Sequence, residues 1–435
     1  MFLLDHTVVT SPSDLTTASK CEFAFARQLD AKLGLIEIER QARDPLEARA
    51  AELGDEHENR WLERYRATRN VVEIERPRID RGALREAAEN TERAFRENAE
   101  VVFQATFFDE DTNMVGFADF IVRQKDGRYR VQDTKLARSV KVTALLQLAA
   151  YYEQLQRIGV DADTTVELIL GTDEISEHDV RDIVPVYRNR RARLLQIVGE
   201  RTRATEAAEW GDPRYAVDGR CEFCEPEVEA SRDLLLVAGM RPTQRAKLIA
   251  AGIHTIDELA TSEVAPQNLR EQARLQLQAS GPIPPFHMFA PDQIGHLPAP
   301  DPGDIFFDFE GDPMWAEPGS DVWGLEYLWG FVDVENGTEE PRFTALWAHD
   351  RAEERQALRD FLGHVVELRG RYPGMHVYHY SSYETAALKR LSVRYGECEQ
   401  ELDDLLRAGV FVDLYPIVRR ALKVGSRSYS IKKLE

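Results

Sequence analysis

The sequence is poor in cysteine and in basic side chains, and it contains no long apolar run. Four cysteines among 435 residues are too few for a disulfide-built scaffold, which excludes the small secreted class. No stretch approaches the roughly 18 apolar residues that a membrane helix needs. The first ten residues carry one acid and no basic segment. We therefore expect no signal peptide, and a cytoplasmic protein without a membrane partner.

The shortage of basic groups limits how the chain can meet nucleic acid. Acidic side chains outnumber basic ones by 76 to 55, and the formal net charge is −21. This balance disfavours a protein that coats nucleic acid non-specifically. It still allows an enzyme with a local basic groove beside an acidic, metal-filled pocket. The excess is uneven, because residues 1–230 hold 33 basic and 45 acidic groups while residues 231–280 hold six and five.

The length predicts two or three domains rather than one core. Polar helical stretches and short apolar strands predict an α/β domain over 1–230, with an antiparallel meander over 101–133. A small helical segment is expected over 231–280. Residues 281–303 hold seven prolines and predict a linker. A second α/β domain is expected over 304–435.

The sequence of the helical segment predicts two short helices joined around Ala251-Gly252-Ile253. This pattern resembles a helix-hairpin-helix unit, whose turn backbone can hold a phosphate. A small packing module explains the same pattern equally well.

Four motifs stand in one order in the first domain. They are Gly54-Asp55-Glu56-His57-Glu58, Gly116-Phe117-Ala118-Asp119, Val131-Gln132-Asp133-Thr134-Lys135 and Gln147-x3-Tyr151. Phosphodiester cleavage needs a divalent ion that activates water and screens the phosphate charge. Asp119 and Asp133 can supply oxygen ligands from adjacent strands. His57 can supply a nitrogen ligand, which suits Mn²⁺ as well as Mg²⁺.

The other members of the set fit the same chemistry. Lys135 stands two residues after Asp133, so both side chains point to the same face of a strand. An ammonium group there can orient the water or stabilise the developing negative charge. Gln147 and Tyr151 are one helical turn apart and share a face. They can support the lysine or touch the nucleic-acid strand.

The ordered set resembles the PD-(D/E)xK nucleases of the RecB type, which have a restriction-endonuclease-like fold. The resemblance implies that His57, Asp119 and Asp133 bind Mg²⁺ or Mn²⁺ and that Lys135 is catalytic. Gln147 and Tyr151 occupy the positions of the Gln-x3-Tyr motif of that family. The implied substrate is DNA, either single-stranded or end-bearing.

The cysteines match a further feature of that family only in part. Some RecB-type nucleases join their ends with a four-cysteine iron–sulfur cluster, and Cys21, Cys221 and Cys224 correspond to three of its positions. The fourth position reads Glu-Pro-Glu-Val-Glu-Ala-Ser. Three interpretations stay open. These are an iron–sulfur cluster that is incomplete or has a non-cysteine ligand, a zinc ion completed by Glu225 or Glu227, and thiols that bind nothing.

The second domain opens with its own acidic strand. Asp308 and Glu310 share one face of that strand, as in the first motif of RNase H-like exonucleases of the DEDD type, where two metals lie between four acids. The resemblance adds Glu384 and Asp413 as metal-ligand candidates. No Tyr- or His-x3-Asp motif for the last acid follows before residue 435. We therefore expect this RNase H-like domain to be incomplete at its C-terminal end; the alternative is a fold that is finished without that acid.

The order of the domains resembles a bacterial family of RecB-like nucleases whose longer members continue into a superfamily I helicase. The sequence contains no Gly-x4-Gly-Lys-Ser/Thr motif, so we expect no motor here and a helicase as a possible partner. The leading hypothesis is a metal-dependent DNA nuclease with an exonuclease-like role in DNA processing or repair. One alternative is a non-catalytic nucleic-acid-binding module that serves a helicase. Another is a 3′–5′ exonuclease on RNA or DNA that acts through the second domain.

Overall fold

The computed structural model describes residues 1–38, 44–317, 320, 322–333 and 341–434. The chain divides into two compact units, Met1–Ala230 and Ser231–Glu435. No helix within the described ranges is long and apolar enough to cross a membrane.

The first unit contains a six-stranded mixed sheet and a separate two-stranded sheet formed by its first two strands. Its strands are β1 (Phe2–Leu4), β2 (Thr7–Val9), β3 (Val71–Glu73), β4 (Val101–Asp109), β5 (Met114–Arg123), β6 (Tyr129–Lys135), β7 (Thr165–Leu170) and β8 (Ile175–Asp179). Its helices are α1 (Pro12–Lys20), α2 (Glu22–Lys32), α3 (Pro45–Arg66), α4 (Arg81–Arg96), α5 (Val142–Arg157), α6 (Val180–Arg201) and α7 (Cys224–Ala230). The sheet order is β3-β4-β5-β6-β7-β8. Strands β4, β5 and β6 form the predicted antiparallel meander, and β7 runs parallel to β6.

Local sequence signals account for several of these elements. Ser11 and Asp14 form a capping box at the start of α1, with Pro12 in the first turn, as the chemistry of helix N-termini favours. The register pairs Phe120 on β5 with Gln132 on β6. One step further along, this antiparallel register sets Asp119 opposite Asp133.

The second unit contains a five-stranded sheet and a group of helices before it. Its strands are β9 (Phe286–Met288), β10 (Ile305–Asp312), β11 (Leu325–Asp333), β12 (Arg342–Trp347), β13 (Val377–His379), β14 (Phe411–Asp413) and β15 (Leu422–Val424). Its helices are α8 (Pro242–Ala250), α9 (Ile256–Thr261), α10 (Gln267–Leu277), α11 (Arg351–Arg371), α12 (Tyr383–Tyr395), α13 (Glu399–Arg407) and α14 (Leu414–Ala421). The sheet order is β12-β11-β10-β13-β14. Strands β10 to β12 are antiparallel, while β13 and β14 continue the sheet in parallel.

The side chains of strand β10 alternate between the buried face and the exposed face of this sheet. Phe307 and Phe309 point inward, and the ring of Phe307 stacks on Phe361 of α11 with centroids 4.0 Å apart. Asp308 and Glu310 alternate with them and point to the opposite, exposed face. The period of two along a strand explains why both acids share that face.

The segment expected to be a linker, residues 281–303, differs from that expectation. Strand β9 lies within it and pairs antiparallel with β15, with Met288 opposite Leu422. A 3₁₀ helix follows over Pro291–His296. The segment can form this pair because no proline falls between Pro285 and Pro291, so the backbone there keeps its hydrogen-bond donors.

The backbone N–H groups in the turn between α8 and α9 donate hydrogen bonds to acceptors within the same segment. The N–H groups of His254 and Thr255 donate to the Glu258 carboxylate at 2.6 and 3.3 Å. Those of Gly252 and Ile253 donate to carbonyls of α8 at 2.9 Å. A carboxylate of the chain thus holds the donors that a phosphate would need. This geometry favours the packing-module interpretation over phosphate binding.

Candidate active site

A cleft of about 410 Å³ opens beside β5 and β6 of the first unit. Its lining includes Asp119, Asp133, Lys135, Gln147 and Tyr151, together with Glu58, Arg76 and Gln104. Five of the six residues predicted for this site therefore lie around one cavity. The sixth, His57, does not line it.

Asp119 and Asp133 form the acidic centre of the cleft. The backbone N–H and the hydroxyl of Thr134 both donate to Asp119 Oδ2 at 2.8 Å, which fixes that carboxylate. Asp133 is only 3% exposed. Burial, followed by the negative charge of Asp119, raises the pKa of Asp133 to about 7. A divalent cation between them would remove this repulsion.

Lys135 forms an ion pair with Asp133 at the end of β6. Burial alone would lower the pKa of Lys135, but the charges of Asp133 and Asp119 outweigh it and raise the pKa above its ordinary value. The side chain therefore stays protonated and presents a cation beside the two carboxylates. This is the charge state that stabilises a developing oxyanion.

Glu58 is a third carboxylate of the cleft, and our sequence reasoning did not assign it a role. Burial, followed by the charge of Asp119, raises the pKa of Glu58 to about 7. The side-chain amide of Gln104 donates a hydrogen bond to it. The available signal was the His-Glu pair on α3, since consecutive helical residues point about 100° apart and only one of them can face the cleft.

His57 takes the other direction from α3. Its side chain is fully buried, with Nδ1 3.8 Å from Asp173 Oδ1 and 3.2 Å from a guanidinium nitrogen of Arg60. Burial, followed by the charge of Arg60, lowers its pKa. The structure therefore does not bring His57 together with Asp119 and Asp133, because its ring packs against a different set of partners.

Gln104 has an unusual backbone for a strand residue. Its φ is +52°, and the β4–β5 register pairs Phe103 with Phe120 and Ala105 with Ala118 but steps over the position between them. That position lies opposite Asp119. A non-glycine residue in the left-handed region costs of order 1 kcal/mol and is often found at functional sites.

Tyr151 forms part of the wall and holds the strand behind it. Its hydroxyl donates to the carbonyl of Phe117 at 2.7 Å. Burial raises its pKa well above the usual range, so it stays a neutral donor. A Cβ on Gly116 would lie 2.8 Å from Tyr151 Cε1, which explains the glycine. Gln147, one turn earlier on α5, lines the same cleft.

Arg76 adds a second cation to the rim. Its guanidinium lies over the Phe117 ring, 5.1 Å from the centroid, and its side chain is exposed. A planar guanidinium on an aromatic support is well suited to a phosphate oxygen.

The donor set suits the cation that the resemblance implies. Glu58, Asp119 and Asp133 offer hard carboxylate oxygens, which Mg²⁺ and Mn²⁺ prefer. No three carboxylate or imidazole ligand atoms of the described residues lie within 4.8 Å of one another. A bound ion would therefore draw these carboxylates closer together.

The second unit brings part of its predicted acidic set together. Burial raises the pKa of Asp308, and the negative charge of the Glu384 carboxyl raises it further. Glu384 is buried, and its Oε2 lies 3.2 Å from His379 Nδ1. Glu310 stands on the same strand face, 3.9 Å from Lys432 Nζ. His379 is a member of this cluster that our sequence reasoning did not name as a site residue.

Asp413 has a structural task instead. Its Oδ1 accepts hydrogen bonds from the backbone N–H groups of Ser381 and Tyr415, both at 2.9 Å. It is the N-cap of α14. The predicted ligand role of Asp413 therefore competes with two main-chain bonds that it already makes.

The three predicted cysteines converge in the first unit. Cys21 Sγ and Cys224 Sγ are 3.5 Å apart, and the sulfurs of Cys21, Cys221 and Cys224 all lie within 4.8 Å of one another. A hydrogen bond from Cys224 lowers the pKa of Cys21 to about 6 against the opposing effect of burial. No carboxylate of the described residues, Glu225 and Glu227 included, joins this group.

Comparison with protein families identifies two domains in the chain. A model described as the PD-(D/E)XK nuclease superfamily matches residues 9–227. A model described as the RNase_H superfamily matches residues 305–435. The chain belongs to the PD-(D/E)XK nuclease superfamily and carries an RNase H-like domain after it, which confirms the predicted order. A search of curated proteins gives no match.

Proposed function

We propose that the first unit is a divalent-metal-dependent nuclease that hydrolyses DNA phosphodiester bonds, with an exonuclease-like role in DNA processing or repair. The observation that carries this proposal is the arrangement of Asp119, Asp133 and Lys135 in one cleft. Two opposed carboxylates with a partly buried ammonium beside them form a charge pattern that suits a bound cation and a phosphate.

Each residue has a task in this proposal. A bound Mg²⁺ or Mn²⁺ ion supplies Lewis acidity and screens the phosphate charge. Asp119, Asp133 and Glu58 hold that ion. Lys135 donates a hydrogen bond to the reacting phosphate and stabilises the charge that develops on it. Arg76 contacts a phosphate oxygen from the rim.

The test is cleavage of end-labelled single-stranded and duplex DNA with Mg²⁺, Mn²⁺ or EDTA. We expect Asp133→Asn and Lys135→Ala to lose activity by on the order of 100-fold or more. Asp126→Asn and Lys125→Ala are matched controls, because both side chains are exposed in the β5–β6 turn of the same unit. Full activity in both cleft variants would refute the proposal.

The alternative of a binding module that serves a helicase makes a different prediction. It requires DNA binding without cleavage in any metal, with an affinity that falls steeply with salt. Wild-type protein that binds DNA in EDTA and also leaves it intact with Mn²⁺ would favour this alternative.

The RNase H-like domain is a second candidate nuclease, and the contact between Asp308 and Glu384 favours it. A 3′–5′ exonuclease centred on these acids would act on RNA or DNA ends. Activity lost in Asp308→Asn and kept in Asp133→Asn would assign the chemistry to this domain. The reverse result would assign it to the first unit.

A further inference from the structure

We propose that Cys21, Cys221 and Cys224 bind a single zinc ion whose fourth position is open to an exchangeable ligand, rather than an iron–sulfur cluster. The site joins the beginning of the first unit to its end. Cys21 lies between α1 and α2, Cys221 precedes α7, and Cys224 is the first residue of α7.

The spacing of the sulfurs carries this inference. A zinc ion holds thiolates at about 2.3 Å in a tetrahedron, which puts any two sulfurs about 3.8 Å apart. Cys21 Sγ and Cys224 Sγ are 3.5 Å apart, and Cys221 Sγ lies within 4.8 Å of both. In a cubane cluster each cysteine binds a different iron. The thiolates then lie outside a multi-atom core and stand farther apart than around one ion.

The donor set points the same way. A cubane cluster uses four cysteine ligands, and the described residues offer three converging thiols with no further His, Cys, Asp or Glu ligand atom within 4.8 Å of them all. One ion with three protein ligands keeps a fourth position for solvent or an added ligand. Cys221 is only partly buried, whereas Cys21 and Cys224 are buried. An exogenous ligand can therefore enter from the side of Cys221.

The surrounding backbone is prepared for thiolates. The N–H groups of Ala24 and Asp218 both donate to Cys21 Sγ at 3.4 Å. Such donors stabilise a charged sulfur and orient it toward a metal. The carbonyl of Ala216 accepts from the N–H groups of Glu22 and Phe23 at 3.0 and 3.2 Å, so the two ends of the unit already meet beside the sulfurs.

The bound ion would act as a staple. It would close a loop of about 200 residues, and cross-links over long loops remove the most conformational freedom from the unfolded chain. Removal of the zinc should therefore lower the thermal stability of the first unit, although the ion is not bound in the carboxylate cleft.

The test is metal analysis of the full chain, purified without oxygen from cells supplied with both iron and zinc. We expect about one zinc per chain in the wild type. The zinc content should fall by on the order of ten-fold in Cys221→Ser and Cys224→Ser. Cys398→Ser, in the second unit, is the matched control and should keep the zinc. Iron with acid-labile sulfide at three or four per chain would overturn the proposal, as would a chain that binds neither metal.

Cobalt substitution tests the open position. A Co²⁺-loaded chain should show thiolate-to-metal charge-transfer bands, and its visible bands should shift when imidazole or azide is added. Bands that do not respond to either ligand would contradict an exchangeable fourth position. A chelator should lower the melting temperature of the wild type and of Cys398→Ser, and leave that of Cys221→Ser unchanged.

Discussion

Glu58 and His57 are consecutive on α3, yet Glu58 lies in the cleft with Asp119 while His57 is buried beside Asp173. The helix turns about 100° per residue, so the two side chains cannot share one site. In this chain the carboxylate rather than the imidazole is directed toward the other acids. A divalent cation bound as proposed in this cleft would have three carboxylate groups available as oxygen donors.

Single substitutions of Glu58 and His57 should distinguish a residue that binds the metal from a residue that stabilises the fold. We expect Glu58→Gln to weaken Mn²⁺ binding by on the order of ten-fold, because a charged oxygen ligand is lost. His57→Gln should leave Mn²⁺ affinity within about two-fold and lower the free energy of unfolding by about 1–3 kcal/mol, since a buried polar contact is lost. Titration calorimetry and urea unfolding measure the two effects. Weaker metal binding in His57→Gln than in Glu58→Gln would return the ligand role to the histidine.

The predictability of the site follows from how local each signal is. The two-residue spacing of Asp133 and Lys135 on a strand determines their common face, and the meander places Asp119 beside them. The choice between His57 and Glu58 depends on how α3 is rotated against the sheet, which no local pattern records. Gln104 gives no signal, because glutamine is not a residue that favours positive φ.

The strands of the fold also divide into those that local sequence predicts and those that depend on tertiary pairing. Strand β10 alternates buried and exposed residues, and strands β4 and β7 are rich in buried apolar residues, so the presence of these strands follows from the sequence. Strand β8, with the sequence ISEHD, carries little apolar content, and strand β9 in the proline-rich segment is only three exposed residues long. They form because β7 and β15 offer them free backbone edges. Such pairing is a tertiary effect that a segment does not encode alone.

Asp133 should make the metal-free protein less stable as pH rises. Its pKa is raised from 3.8 to about 7, so between about pH 4 and 7 the folded state keeps a proton that the unfolded state has lost. Folding stability therefore falls with increasing pH in this window. Asp133→Asn cannot lose that proton, so its stability gain over wild type should grow from pH 4 to 7 and then level off.

Melting temperatures in EDTA across pH 4.5 to 8.5 measure this difference. Asp126→Asn is the control and should run parallel to wild type, because that acid is exposed and its pKa is lowered by Arg128. An Asp133→Asn gain that is constant with pH would show that this carboxyl titrates normally. Saturating Mn²⁺ should stabilise the wild type most at high pH, since binding requires the ionised carboxylates.

Gln104 has a strained backbone, and its side-chain amide donates a hydrogen bond to Glu58. Gln104→Gly and Gln104→Ala both remove the hydrogen bond to Glu58, but only glycine tolerates a φ of +52° without cost. We expect the glycine variant to be about 1 kcal/mol more stable than the alanine variant. Both should cleave DNA more slowly than wild type, with the pH dependence of activity shifted upward as Glu58 loses its donor. Equal stability of the two variants in urea unfolding would mean that the backbone at this position is relaxed.

Asp308 and Asp413 offer a matched pair in the RNase H-like domain, because one acid is held near another carboxyl and the other caps a helix. Asp308→Asn removes a group whose pKa is raised by burial and by Glu384, so the variant should be at least as stable as wild type at pH 8. Asp413→Ala removes the hydrogen bonds from the backbone N–H groups of Ser381 and Tyr415, the second of them at the start of α14, and should lower the free energy of unfolding by about 1 kcal/mol. Unfolding monitored by circular dichroism compares them. A destabilised Asp308→Asn beside an unaffected Asp413→Ala would reverse the two assignments and make Asp413 the better ligand candidate.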